Sequence, residues 1–136
     1  MSEIKTELFK VVIAKEVAVD GINGWLDYKS IDPSIRTDHK QAVDKLVSAV
    51  MYGNLTIGDG GKLTHVLKFP IGEDGAIKSF DYKGRLTVDE VEACLGAGGS
   101  TKIYGAALTG KASGFFGKLD TSDLAILNAV VVFFIN

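Results

Sequence analysis

The sequence predicts an α+β fold, in which a small antiparallel β-meander packs on a helix and is followed by a helical C-terminal section. Three observations carry that expectation. Apolar residues recur at helical spacing over 38–52, alternating runs separated by glycine-rich turns occupy 55–82, and helix-capping residues stand ahead of the apolar runs beyond Gly99.

Residues 8–14 and 16–20 are rich in β-branched side chains with partial alternation, which predicts strands half-covered on one face; a helix over Thr6 to Val19 is the competing reading. Gly21, Asn23 and Gly24 then punctuate the chain. Residues 1–31 therefore read as an N-terminal arm or strand layer, ahead of an α+β core over 32–95 and a helical section over 100–136. At 136 residues the chain suits one domain, with or without an attached arm.

Asp32-Pro33 supplies an N-cap and a proline at the first helical position, and Thr37 offers a second start. Ala42, Val43, Leu46, Val47 and Val50 share one helix face, while Asp38, Lys40, Gln41, Asp44, Lys45 and Ser48 fill the other. Gly53 and Asn54 are suited to stop that helix. Leu55-Thr56-Ile57, the turn Gly58-Asp59-Gly60-Gly61 and the run Leu63 to Phe69 form a hairpin signature. Leu63, His65, Leu67 and Phe69 share a face by the two-residue period, and Pro70 is expected to end the strand. A second tight turn, Gly72 to Gly75, leads into a third strand over 76–82 with Phe80 and Tyr82 on one face.

Thr87 and Glu90 form a capping box, which predicts a short helix from Val88 to about Leu95. The loop 96–100 precedes three helical pieces: 101–109, 112–118, and a longer one with Asp120 as N-cap and Asp123 in its first turn. In that last helix Leu124, Leu127, Val131 and Phe134 mark one face, and Ile126, Val130 and Phe133 another. A helix apolar all round is enclosed or sits in an interface. The expectation is that Leu127, Val131 and Phe134 contact the body of the domain, while Val130 and Phe133 bind a partner.

Composition narrows the function. Fifteen Lys and Arg against seventeen Asp and Glu give a net charge of −2, with lysines scattered, so no nucleic-acid footprint is present. The apolar run Leu124 to Ile135 is interrupted by Asn128 and falls short of the roughly 20 residues of a membrane span. Met1-Ser2-Glu3-Ile4-Lys5 does not read as a secretory signal, so a cytosolic address is expected.

No catalytic, metal or cofactor site is expected. The single cysteine, Cys94, lies near Glu90 and Glu92, which disfavour a thiolate, and reads as a small buried apolar residue. His39 and His65 lack further ligands at metal-binding spacing. Gly110-Lys111 is followed by Ala112, which breaks the phosphate-loop pattern. The pairs Glu73/Asp74 and Asp120/Asp123 fit turn and cap chemistry, so the chain does not read as an enzyme.

The order of motifs carries one resemblance. Lys68-Phe69-Pro70-Ile71, Arg85-Leu86-Thr87, Ala107-Leu108-Thr109-Gly110, Leu119-Asp120-Thr121-Ser122-Asp123 and Phe133-Phe134 follow one another over residues 62–136. That succession resembles the tail assembly chaperones of contractile-tailed bacteriophages and prophages. The resemblance implies a non-enzymatic factor in the cytoplasm of the bacterial host. Such a factor binds the tape measure protein, and in some settings the tail tube protein, and keeps the former soluble while the tube assembles. The alternative is a self-associating structural component of a phage tail or baseplate, a homo-oligomer held by its C-terminal surface.

Overall fold

The computed structural model describes residues 10–136. Its architecture is α+β: a three-stranded antiparallel sheet in the order β1-β2-β3, with helices on both sides of it in the chain. One hydrophobic core runs from Ala18 to Phe133 and includes residues of all three segments distinguished in the sequence.

The N-terminal expectation is corrected. Residues 16–20, read as a strand, open helix α1 (Lys15–Tyr28), while the run 8–14 begins outside the described residues and is irregular from Lys10 onward. The physical reason is that Ala18, Ile22, Trp25 and Leu26 fall at i, i+4, i+7 and i+8 and are all buried, so packing overrides the β-propensity of Val17 and Val19. Gly21 lies inside this helix. A Cβ there would stand 3.1 Å from Ile57 Cδ1, so it marks a close approach of α1 to the sheet and not a turn. Helix α1 is thus part of the core and not an arm.

Asp32 caps α2 (Pro33–Asp38) by accepting from Ser34 N at 2.7 Å, with Pro33 in the first turn as its sequence implied. His39, at φ −113° and ψ 37°, then separates α2 from α3 (Lys40–Met51), so the expected single helix is two. Leu46, Val47, Ala49 and Val50 form the buried face of α3. Gly53, at φ 79°, closes it: Asn54 N donates to Ala49 O at 2.7 Å and Gly53 N to Val50 O at 3.1 Å, a paired arrangement that needs a left-handed residue.

Strands β1 (Leu55–Ile57), β2 (Leu63–Ile71) and β3 (Ile77–Tyr82) make the meander. Leu55 pairs with His65 and His65 with Phe80, but the β2–β3 register shifts between Val66 and Ile71. That shift corrects two readings. Pro70 lies within β2 instead of ending it, and Phe69 turns outward at 44% exposure instead of joining Leu63, His65 and Leu67 inside. Beyond the sheet come α4 (Val88–Gly96), α5 (Thr101–Thr109), α6 (Ser113–Phe116) and α7 (Thr121–Val132). Thr87 and Glu90 form the expected capping box on α4, and Asp120 caps α7. Helix α7 packs against α3, α5 and β2.

Lys29, at the end of α1, fastens the first helix to the tail of the last. Its ammonium lies 3.5 Å from the Phe134 ring centroid and 5.7 Å from that of Trp25, and donates to Gly84 O at 3.1 Å. Burial, followed by the charge of Arg85, lowers its pKa to about 8. Between that value and the 10.5 of the unfolded chain, the unfolded state holds the extra proton, so stability rises with pH across this window. Relative to Lys29→Met, the wild type should gain on the order of 1–2 kcal/mol between pH 7 and 10.5, discounted for the partly solvated site. Urea unfolding of both proteins across that range measures the gain, and parallel profiles would contradict it.

Candidate partner-binding groove

The structure places Val130 and Phe133, the residues expected to face a partner, inside the core. Val130 and Phe133 are 0% and 1% exposed, so the outward face assigned to them does not exist in the folded chain. The reason is α1: Trp25 meets Phe133 edge-on at 6.3 Å, and His39 meets the same ring at 6.3 Å from the α2–α3 junction. Leu127 and Val131 are buried as expected, and Phe134 lies partly buried 6.0 Å from Trp25. Reading residues 16–20 as a strand removed from consideration the element whose Trp25 covers Phe133.

A second polar feature lies deep in the core, where sequence reasoning saw none. His65 and Asp123, 58 positions apart, are both fully buried, with His65 Nε2 3.1 Å from Asp123 Oδ1. On its other side, His65 Nδ1 is 2.8 Å from the Tyr82 hydroxyl. The tautomer that satisfies every group has Tyr82 donating to Nδ1 and Nε2–H donating to Asp123. Asp123 also accepts from Lys68 N at 2.9 Å and Phe69 N at 3.2 Å. These are backbone donors in the stretch where the β2–β3 register shifts, and the carboxylate takes the place of a strand neighbour. Burial, then the charge of Asp123, pushes the Tyr82 phenol well above its ordinary value. The bonds that Asp123 accepts from His65, Lys68 N and Phe69 N join α7 to β2.

Among the described residues, one surface feature with room for a partner is a groove of about 760 Å³ between α1 and α3. Val19 from α1 and Val43, Val47 and Met51 from α3 supply its apolar part. The three α3 residues follow at i, i+4 and i+8, which covers about 12 Å of helix axis, roughly two turns of a facing helix. Lys15, Arg36 and Lys40 border the groove against one carboxylate, Asp44. Two of these cations are held in place: Arg36 Nη2 is 2.7 Å from Asp27 Oδ1 and its Nε donates to Ile31 O at 2.9 Å, while Lys40 Nζ is 2.7 Å from Asp44 Oδ2. Val43 and Val47 were legible as one helix face; the opposing wall was not, because α1 was read as a strand layer.

The remaining candidates stay apart from one another. Cys94 is buried, its thiol pushed up by burial and then by Glu90, and no group of three or more metal-ligating side chains exists among the described residues. No helix among the described residues is long and apolar enough to cross a membrane. Comparison with protein-family models, with curated proteins and with solved structures returns no match.

Proposed function

We propose that this chain is a phage tail assembly chaperone that holds an amphipathic helix of the tape measure protein in the α1–α3 groove. It would keep that long helical protein soluble in the host cytoplasm during tail tube assembly. The observation that carries the reading is an open groove with an apolar floor, which suits the apolar stripe of an amphipathic helix. The order of motifs from Lys68 to Phe134 supports it independently.

The test is co-expression with the tape measure protein of the same phage or prophage, followed by co-purification. Changing Val19 and Val43, which also pack on the core, together to threonine should reduce capture at least tenfold while circular dichroism shows the chain still folded at the assay temperature. Undiminished capture by that variant, or no capture by the wild type, overturns the proposal. A second reading, self-association as a structural tail component, draws on α4, whose Val88 and Leu95 share one face at i and i+7 and are 73% and 61% exposed. Light scattering that finds an oligomer dissolved by Val88→Ser with Leu95→Ser, together with no tape measure capture, would favour it.

A further inference from the structure

At one end of the α1–α3 groove, the chain that leads into α1 touches the end of α3. Val12 N donates to Met51 O at 2.8 Å and Ile13 N to the same carbonyl at 3.3 Å, while Met51 and Lys15 both line the groove. Val11 and Val12 are exposed there. Residues 1–9, which precede the described chain, are therefore joined to it at the mouth of an apolar groove. A tether of a few residues gives them an effective concentration on the order of millimolar at that groove. No separate partner has that advantage.

The sequence of the segment matches the groove floor. Within Met1-Ser2-Glu3-Ile4-Lys5-Thr6-Glu7-Leu8-Phe9, Ile4 and Leu8 stand four residues apart, and Leu8 stands four before Val12. In α3, Val43, Val47 and Met51 repeat at the same interval. With Val12 anchored at Met51, a helical course would carry Leu8 to the level of Val47 and Ile4 to that of Val43, about 12 Å from the anchor. Ser2, Glu3 and Thr6 would then fall on the opposite side. Residues 10–14 provide a connection of the length that joins two antiparallel helices in a hairpin. We propose that residues 1–9 occupy the α1–α3 groove of the free chain, Leu8 on Val47 and Ile4 on Val43, as a built-in cover that a partner helix must displace. This occupancy belongs to the free chain, so its test needs no partner, and failed capture of the tape measure protein leaves it standing.

The experiment reads nuclear Overhauser contacts in the full chain, deuterated and ¹³C-labelled at the methyl groups of Ile, Leu and Val. Ile4 should contact Val43, and Leu8 should contact Val47. Ile4→Ser with Leu8→Ser should abolish both contacts and move the Val43 and Val47 methyl signals. The signals of Leu108, fully buried in α5, should keep their positions and show that the variant is folded. A mixture of one chain labelled only at Ile and Leu with another labelled only at Val should show neither contact. Absence of the contacts, contacts of Ile4 and Leu8 with another surface, or unmoved Val43 and Val47 signals in the variant overturn the proposal. Contacts that persist in the mixture also overturn it, by assigning the groove to a second copy.

Discussion

Replacing Asp123 by alanine should destabilise the protein by about 3–5 kcal/mol, a large share of the 5–15 kcal/mol typical of a domain. The side chain is fully buried and receives three donors: the His65 ring, Lys68 N and Phe69 N. Alanine leaves all three without an acceptor, and each such buried donor costs about 1–3 kcal/mol, partly relieved by local shifts or entering water. Asp123→Asn keeps the size and one acceptor oxygen, so its cost should be smaller, about 1–3 kcal/mol. Urea unfolding gives both values. Because His65 shares the network, the costs of Asp123→Ala and His65→Ala should fall well short of adding in the double variant. A cost below about 1 kcal/mol for Asp123→Ala, or strict additivity, would mean that α7 is held to β2 by apolar packing alone.

This network marks a boundary of what the sequence made legible. The position of Asp123 in the first turn of α7 followed from local chemistry, since a carboxylate suits the positive end of a helix, and the cap at Asp120 followed in the same way. Its connection to His65 did not, because the two belong to different elements and nothing in their spacing signals contact. The register shift in β2 that creates the need for an acceptor is equally invisible from alternation, which continues undisturbed through Phe69. Elements defined by neighbours in sequence were recovered: the capping box at Thr87, the helix ending at Gly53, and the three helical pieces after Ser100. The groove was half recovered, its α3 wall from the spacing of Val43 and Val47, its α1 wall not at all.

The failure at α1 has a definite cause and leads to the second large effect. Val17 and Val19 weigh toward a strand and the glycines at 21 and 24 weigh toward a turn, yet the residues that decide the structure are those at helical spacing from Ala18 to Leu26. Trp25 is the largest of them. Its ring packs edge-on against Phe133, lies 6.0 Å from Phe134, and its Nε1–H donates to Gly61 O at 3.2 Å, so one side chain joins α1 to the end of α7 and to the β1–β2 turn. Trp25→Ala should therefore cost about 3–5 kcal/mol by cavity formation, with the lost Gly61 bond included in that range. Trp25→Phe keeps much of the ring but removes the donor and part of the volume, and should cost about 1–3 kcal/mol. Chemical denaturation followed by far-ultraviolet circular dichroism measures both, since the sole tryptophan is the residue replaced. If α1 were an arm laid over an independently stable core, Trp25→Ala would cost little and deletion of 1–31 would leave a cooperative transition. As α1 supplies one wall of that core and covers Phe133, the truncated chain should instead lose cooperative unfolding altogether.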